Sequence, residues 1–120
     1  MTEGHDVMTV DHEFFRRYLA TWGEGDVDRL MAFFTDDIVF RDMTMGHGAS
    51  GVTKMRRFAE YSFESFPGAS FELVSHVCDG QSFAMEWVMK PGDIPGVSFG
   101  SLDGDRIREQ RDYWDGRRSS

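Results

Sequence analysis

The chain is short of cysteine, of basic residues and of long apolar runs, and each shortage narrows what it can be. Its one cysteine, Cys78, has no second thiol in the sequence to pair with, so no disulfide framework holds the fold. Thirteen Lys and Arg stand against 21 Asp and Glu, a net charge of -8. An acidic surface repels phosphate backbones and anionic headgroups, which argues against nucleic acid and membrane partners. No apolar run approaches the roughly eighteen residues of a membrane span, and no secretory h-region is visible near Met1. A cytoplasmic protein is the expectation. His12 and His76 have no carboxylate or cysteine at ligand spacing, and no His-x-x-x-His or paired cysteines occur, so no metal is expected. Phosphate loops, nucleotide fingerprints and nucleophile elbows are missing too, which leaves cofactor-free chemistry.

What is abundant is large apolar side chains: 11 Phe, 8 Met and 3 Trp in 120 residues, enough for one domain with one core. That composition suits an internal pocket for a flat organic molecule as well as ordinary packing. Residues 1–10 show no periodicity and read as a loose arm, 11–116 as a single domain, and 117–120 as a tail. From Asp11, the positions Phe14, Phe15, Tyr18, Leu19 and Trp22 recur at three- and four-residue steps, the mark of an amphipathic helix closed near Gly23 and Gly25. Asp26 can cap a second helix with the stripe Val27, Leu30, Met31 and Phe34, which the pair Asp36-Asp37 ends before a strand over 38–42. A glycine-rich loop over 46–51 follows. Ser50 then caps a third helix striped by Val52, Met55, Phe58, Ala59 and Phe63 and ended by Pro67-Gly68. Strand-like runs at 70–78, 82–89 and 97–102 are joined by turns at Asp79-Gly80 and Asp103-Gly104 and by a longer connection over 91–96. Helices first and antiparallel strands last define an α+β architecture with the helices on one face of a curved sheet.

The last strand, from Arg106, is the most informative. Period-two alternation puts Arg108, Gln110, Asp112 and Trp114 on one side, so Asp112 stands between a glutamine and an indole. A carboxylate among aromatics is costly to ionise. Asp42 shares a strand face with Ile38 and Phe40 and would point into apolar surroundings that suit a general base.

The segments Arg17-Tyr18-Leu19-Ala20, Gly25-Asp26-Val27-Asp28, Phe34-Thr35-Asp36-Asp37, Val39-Phe40-Arg41-Asp42, Gly51, Gly104-Asp105-Arg106-Ile107 and Arg111-Asp112-Tyr113-Trp114-Asp115 resemble the SnoaL-like branch of the nuclear transport factor 2-like superfamily, over Phe14 to Asp115. This branch includes ketosteroid isomerases, limonene epoxide hydrolases and polyketide cyclases. The resemblance implies a cone in which three helices pack on a strongly curved, mostly antiparallel sheet enclosing a pocket, and commonly a homodimer. It also implies roles. The isomerases' general base falls on Asp42 and their phenolic oxyanion donor on Tyr18, whereas their second donor, a protonated acid, falls on Val97. The epoxide hydrolases' final-strand aspartate falls on Asp112, but Met85 and Trp87 occupy the strand that should carry the matching Arg and Asp. A cyclase's single pocket acid is the requirement this sequence meets most easily.

The sequence thus nominates Asp42, Asp112 and Tyr18 as catalytic groups, two carboxylates in one cavity dividing into an acid and a base. Trp22, Met85, Trp87, Met89, Phe99, Gln110 and Trp114 are expected to line the cavity, with His47 in its Gly-His-Gly loop over the mouth. Glu86, on the face opposite Trp87, reads as a surface or dimer-interface residue, and Val74, Val88 and Tyr113 give the sheet an outward apolar patch suited to two-fold pairing. The expected function is a cofactor-independent isomerase or aldol-type cyclase that abstracts a proton next to a carbonyl of a small apolar molecule. The alternatives are an epoxide or alkene hydratase built on Asp112, and a non-catalytic binding or dimerisation module.

Overall fold

The computed structural model describes residues 10–118; the expected arm over 1–9 and the end of the tail, 119–120, lie outside the described residues. In chain order the elements are α1 (His12–Glu24), α2 (Val27–Met31), β1 (Phe34–Asp42), β2 (His47–Ser50), α3 (Val52–Ser65), β3 (Ser70–Cys78), β4 (Ser82–Lys90), β5 (Ile94–Asp103) and β6 (Arg106–Trp114), followed by a 3-10 turn at Gly116–Arg118. The strands form one sheet in the order β2-β1-β6-β5-β4-β3, antiparallel everywhere except between β1 and β6. The sheet is curved and open, and the helices cover its inner face.

Local chemistry explains the helix limits. The Asp11 carboxylate accepts from the Phe14 amide at 3.1 Å and starts α1, and Gly25 ends it in the left-handed region at φ 72. Asp26 caps α2 through the Arg29 amide in the same way. Ser50 does not cap α3. It is the last residue of β2, and Gly51, at φ 87, takes the N-cap position without any side-chain bond. The stretch read as a glycine-rich loop therefore contains a short edge strand, with Gly48 paired to Arg41 across the ladder. Phe34 likewise belongs to β1 rather than to α2, and β5 starts at Ile94, which shortens the connection after β4 to three residues.

Three register shifts bend the sheet, between Phe34 and Val39 on β1, Leu73 and Ser75 on β3, and Ser101 and Leu102 on β5. The third corrects the expected face of β6. Ser101 pairs with Glu109 and Leu102 with Ile107, so Arg108 is an extra residue. Ile107 is fully buried while Gln110, three positions on, is buried as well, and Arg108 turns outward towards Asp103. From Gln110 to Trp114 the alternation is regular.

The core fills the space between helices and sheet with Phe14, Phe15, Tyr18, Leu19, Leu30, Ile38, Phe40, Met55, Met85 and Ile107, all 3 % exposed or less. Strand β5 inverts the usual pattern: Gly96 and Ser98 are buried on the inner face while Phe99 is exposed on the outer one. The neighbouring strand is the cause. Trp87 pairs with Gly96 and Phe83 with Gly100, and a Cβ on either glycine would overlap those rings.

Candidate functional site

The inner face leaves a cavity of about 200 Å³ between the C-terminal ends of α1 and α3, the start of β3 and the inner faces of β1, β4, β5 and β6. Its wall carries eight aromatic rings: Trp22, Phe40, Phe58, Phe63, Phe66, Phe71, Trp87 and Trp114. Asp42 and Asp112 both open into it. They are register partners on the parallel pair β1 and β6, which brings two residues seventy positions apart in sequence side by side.

Asp112 is held by its Oδ1 alone. Ser98 Oγ, directly across the β5–β6 ladder, donates to it at 2.6 Å, and Gln110 Nε2 donates at 2.8 Å. Gln110 is fixed in turn by the hydroxyl of Tyr18, which donates to its Oε1 at 2.9 Å, and Ser98 Oγ accepts from the Trp87 indole at 2.9 Å. Burial raises the Asp112 carboxyl to about 6; the bonds from Ser98 and Gln110 oppose that rise, and the neighbouring Asp42 charge adds to it. Burial also pushes the Tyr18 phenol well above its ordinary range, helped by the Asp112 charge. Tyr18 is therefore a neutral donor at any physiological pH.

Asp42 is tied in the same one-sided way, its Oδ1 accepting from the Trp114 indole and the Met45 amide, both at 3.0 Å. Among the described residues no donor reaches Oδ2 of either aspartate, and no buried side-chain oxygen or nitrogen lacks a partner. Each Oδ2 is therefore open to the cavity. Most side-chain donors of the wall are committed: Ser62 to the Phe58 carbonyl, Trp87 to Ser98, Ser98 and Gln110 to Asp112, Trp114 to Asp42. Among the described residues no lysine, arginine or histidine lines it.

Of the residues nominated from sequence, Asp42, Asp112, Trp22, Trp87, Met89, Gln110 and Trp114 meet at this cavity. Tyr18 does not reach its surface; it sits behind Gln110, where its hydroxyl is occupied. Three further placements differ from expectation. Met85 is buried in the core, outside the cavity wall. Phe99 lies on the outer face against Tyr113, because the glycines of β5 must turn inward beneath Trp87 and Phe83. His47, on edge strand β2, is exposed beside Tyr61 and far from forming a cover. Glu86 is on the surface, accepting from Ser75. Ser98 was not anticipated, since a small polar residue adds nothing to hydrophobic periodicity; only its position opposite Asp112 gives it away.

Comparison with known proteins places this geometry. No curated protein matches the chain. Solved structures that share its fold include a Catenulispora acidiphila protein with a ketosteroid isomerase-like fold, in complex with trimethylamine (16% identity, 89% of this chain and 88% of the other, TM-score 0.79). Others are a candidate SnoaL-like polyketide cyclase of Shewanella putrefaciens (22%, 93% and 94%, TM-score 0.76) and a candidate SnoaL-like isomerase of Agrobacterium tumefaciens (21%, 87% and 96%, TM-score 0.71). The SnoaL-like domain model matches residues 15–110, from α1 through Gln110, and on that match the chain belongs to the SnoaL-like domain family.

Proposed function

We propose that the chain is a cofactor-independent acid/base enzyme acting on a small, largely apolar organic molecule, with Asp112 as the base. The observation that carries the reading is the state of Asp112: a carboxyl raised to about 6, in an aromatic cavity, with one oxygen anchored and the other free. At neutral pH it is ionised yet basic enough to take a proton from a carbon next to a carbonyl. The carboxyl group then holds that proton as an acid and returns it to a neighbouring carbon, an isomerisation, or the enolate attacks a second carbonyl and the resulting alkoxide takes the proton back from Asp112, a ring closure. Asp42 shapes the charge beside it, and Tyr18 is a positioning residue that acts through Gln110. The trimethylamine in the Catenulispora relative supports a small-molecule pocket.

Replacing Asp112 by Asn keeps the shape and removes the base. The expected result is loss of turnover by about 10²-fold or more. Full turnover in Asp112→Asn would refute the assignment. The commitment of Ser98, Gln110 and Trp114 to the aspartates favours, as a second reading, a module that binds without catalysis; equal binding with no turnover in the unaltered protein would establish it. A hydratase is served less well, because no basic side chain joins Asp112 in the cavity.

The outer sheet face, with Val74, Val77, Phe99 and Tyr113 exposed, supports a homodimer. Sedimentation equilibrium giving a monomer mass at micromolar concentration would exclude it.

A further inference from the structure

Resting on the reading of this cavity as a small-molecule site, we infer that its ligand carries a positive charge: a compact organic ammonium whose alkyl groups pack on the aromatic wall. Three independent features point the same way. The wall contains aromatic rings on all sides, Trp22, Phe63 and Trp114 among them, and ring faces attract a desolvated cation. Among the described residues the charged side chains of the wall are all acidic, Asp42, Asp112 and Glu24, and no donor reaches Oδ2 of either aspartate. A neutral, purely apolar ligand would leave these two carboxylates desolvated and without compensation; a cation between them supplies it. The third feature is the commitment of the donors around the two aspartates, Ser98, Gln110 and Trp114, to the aspartates themselves. Among the described residues no basic side chain lines the cavity to meet a negative charge developing on a substrate oxygen, and a positive charge carried in by the substrate supplies that stabilisation. The net charge of -8 draws such a ligand from solution.

Size is consistent. About 200 Å³ holds a head group with three or four small alkyl substituents and a short chain.

The three tryptophans all line the cavity, so intrinsic fluorescence reports its occupancy. Choline and its uncharged isostere 3,3-dimethylbutan-1-ol have the same shape and differ by one charge, and each is titrated into the full chain. We expect choline to saturate with a Kd at least about tenfold lower than the alcohol, the ratio a desolvated cation–π site produces. Asp42→Asn and Phe63→Leu should each shrink that ratio. Equal or tighter binding of the alcohol overturns the inference and leaves the small-molecule site standing. No saturable change with either compound overturns the inference and the site together.

Discussion

The hydroxyl of Tyr18 donates to Oε1 of Gln110 across 92 residues of sequence, and that one bond decides which end of the amide faces Asp112. With Oε1 occupied, Nε2 is left to donate to Asp112 and to Ser98. Phenylalanine at position 18 keeps the ring in the core and removes the anchor. Tyr18→Phe is expected to cost about 1–3 kcal/mol for an unpaired buried carbonyl. It should lower kcat several-fold with KM unchanged, since the residue does not touch the cavity, and shift the acid limb of the pH–rate profile upward as Asp112 loses a donor. An altered KM with an unshifted profile would show that Tyr18 contacts substrate instead.

The proton on Asp112 links folding to pH in a definite direction. Its carboxyl titrates near 6 when folded and near the ordinary 3.8 when unfolded. Between those values the unfolded chain has released a proton that the folded chain retains, so stability falls as pH rises from about 4 to about 6 and is level above. Asp112→Asn removes this loss. Urea unfolding at pH 4 and pH 7.5 should show the variant gaining on the parent by on the order of 2 kcal/mol across the interval. A constant difference at both pH values would mean that folding leaves this carboxyl unperturbed.

Gly96 lies beneath Trp87 on the neighbouring strand, and a Cβ there would overlap the six-membered ring. Gly96→Ala should displace the indole, break its 2.9 Å bond to Ser98 and cost about 1–3 kcal/mol, read by thermal unfolding together with a shifted tryptophan emission. A variant as stable as the parent with unchanged emission would show that the ring has room to move.

Legibility in the sequence followed the strength of each local signal. The stripe Phe14, Phe15, Tyr18, Leu19 and the caps Asp11 and Asp26 are dense enough in apolar and capping residues to define α1 and α2 unaided. The pairing of Gln110, Asp112 and Trp114 on one face was readable because no irregularity interrupts β6 after Gln110. Arg108 was assigned to that face only because an inserted residue in a ladder leaves no mark on composition. Phe99 pointed the wrong way for a related reason. Periodicity counts large apolar residues as inward, whereas β5 turns Gly96 and Ser98 inward to make room for rings from β4, and a strand cannot report what its neighbour needs. Edge strand β2, four residues of which three are small, reads as a loop because its pairing with β1 leaves no β signal within His47–Ser50.

The account stands on a base created by burial and restrained by two donors, and that can be measured without knowing the substrate. Carbon-detected NMR titration of the Asp112 side-chain carboxyl should show a midpoint near 6, moving higher still in Ser98→Ala as the 2.6 Å bond is lost. A midpoint near 3.8 in the parent protein, unmoved by that substitution, would contradict it.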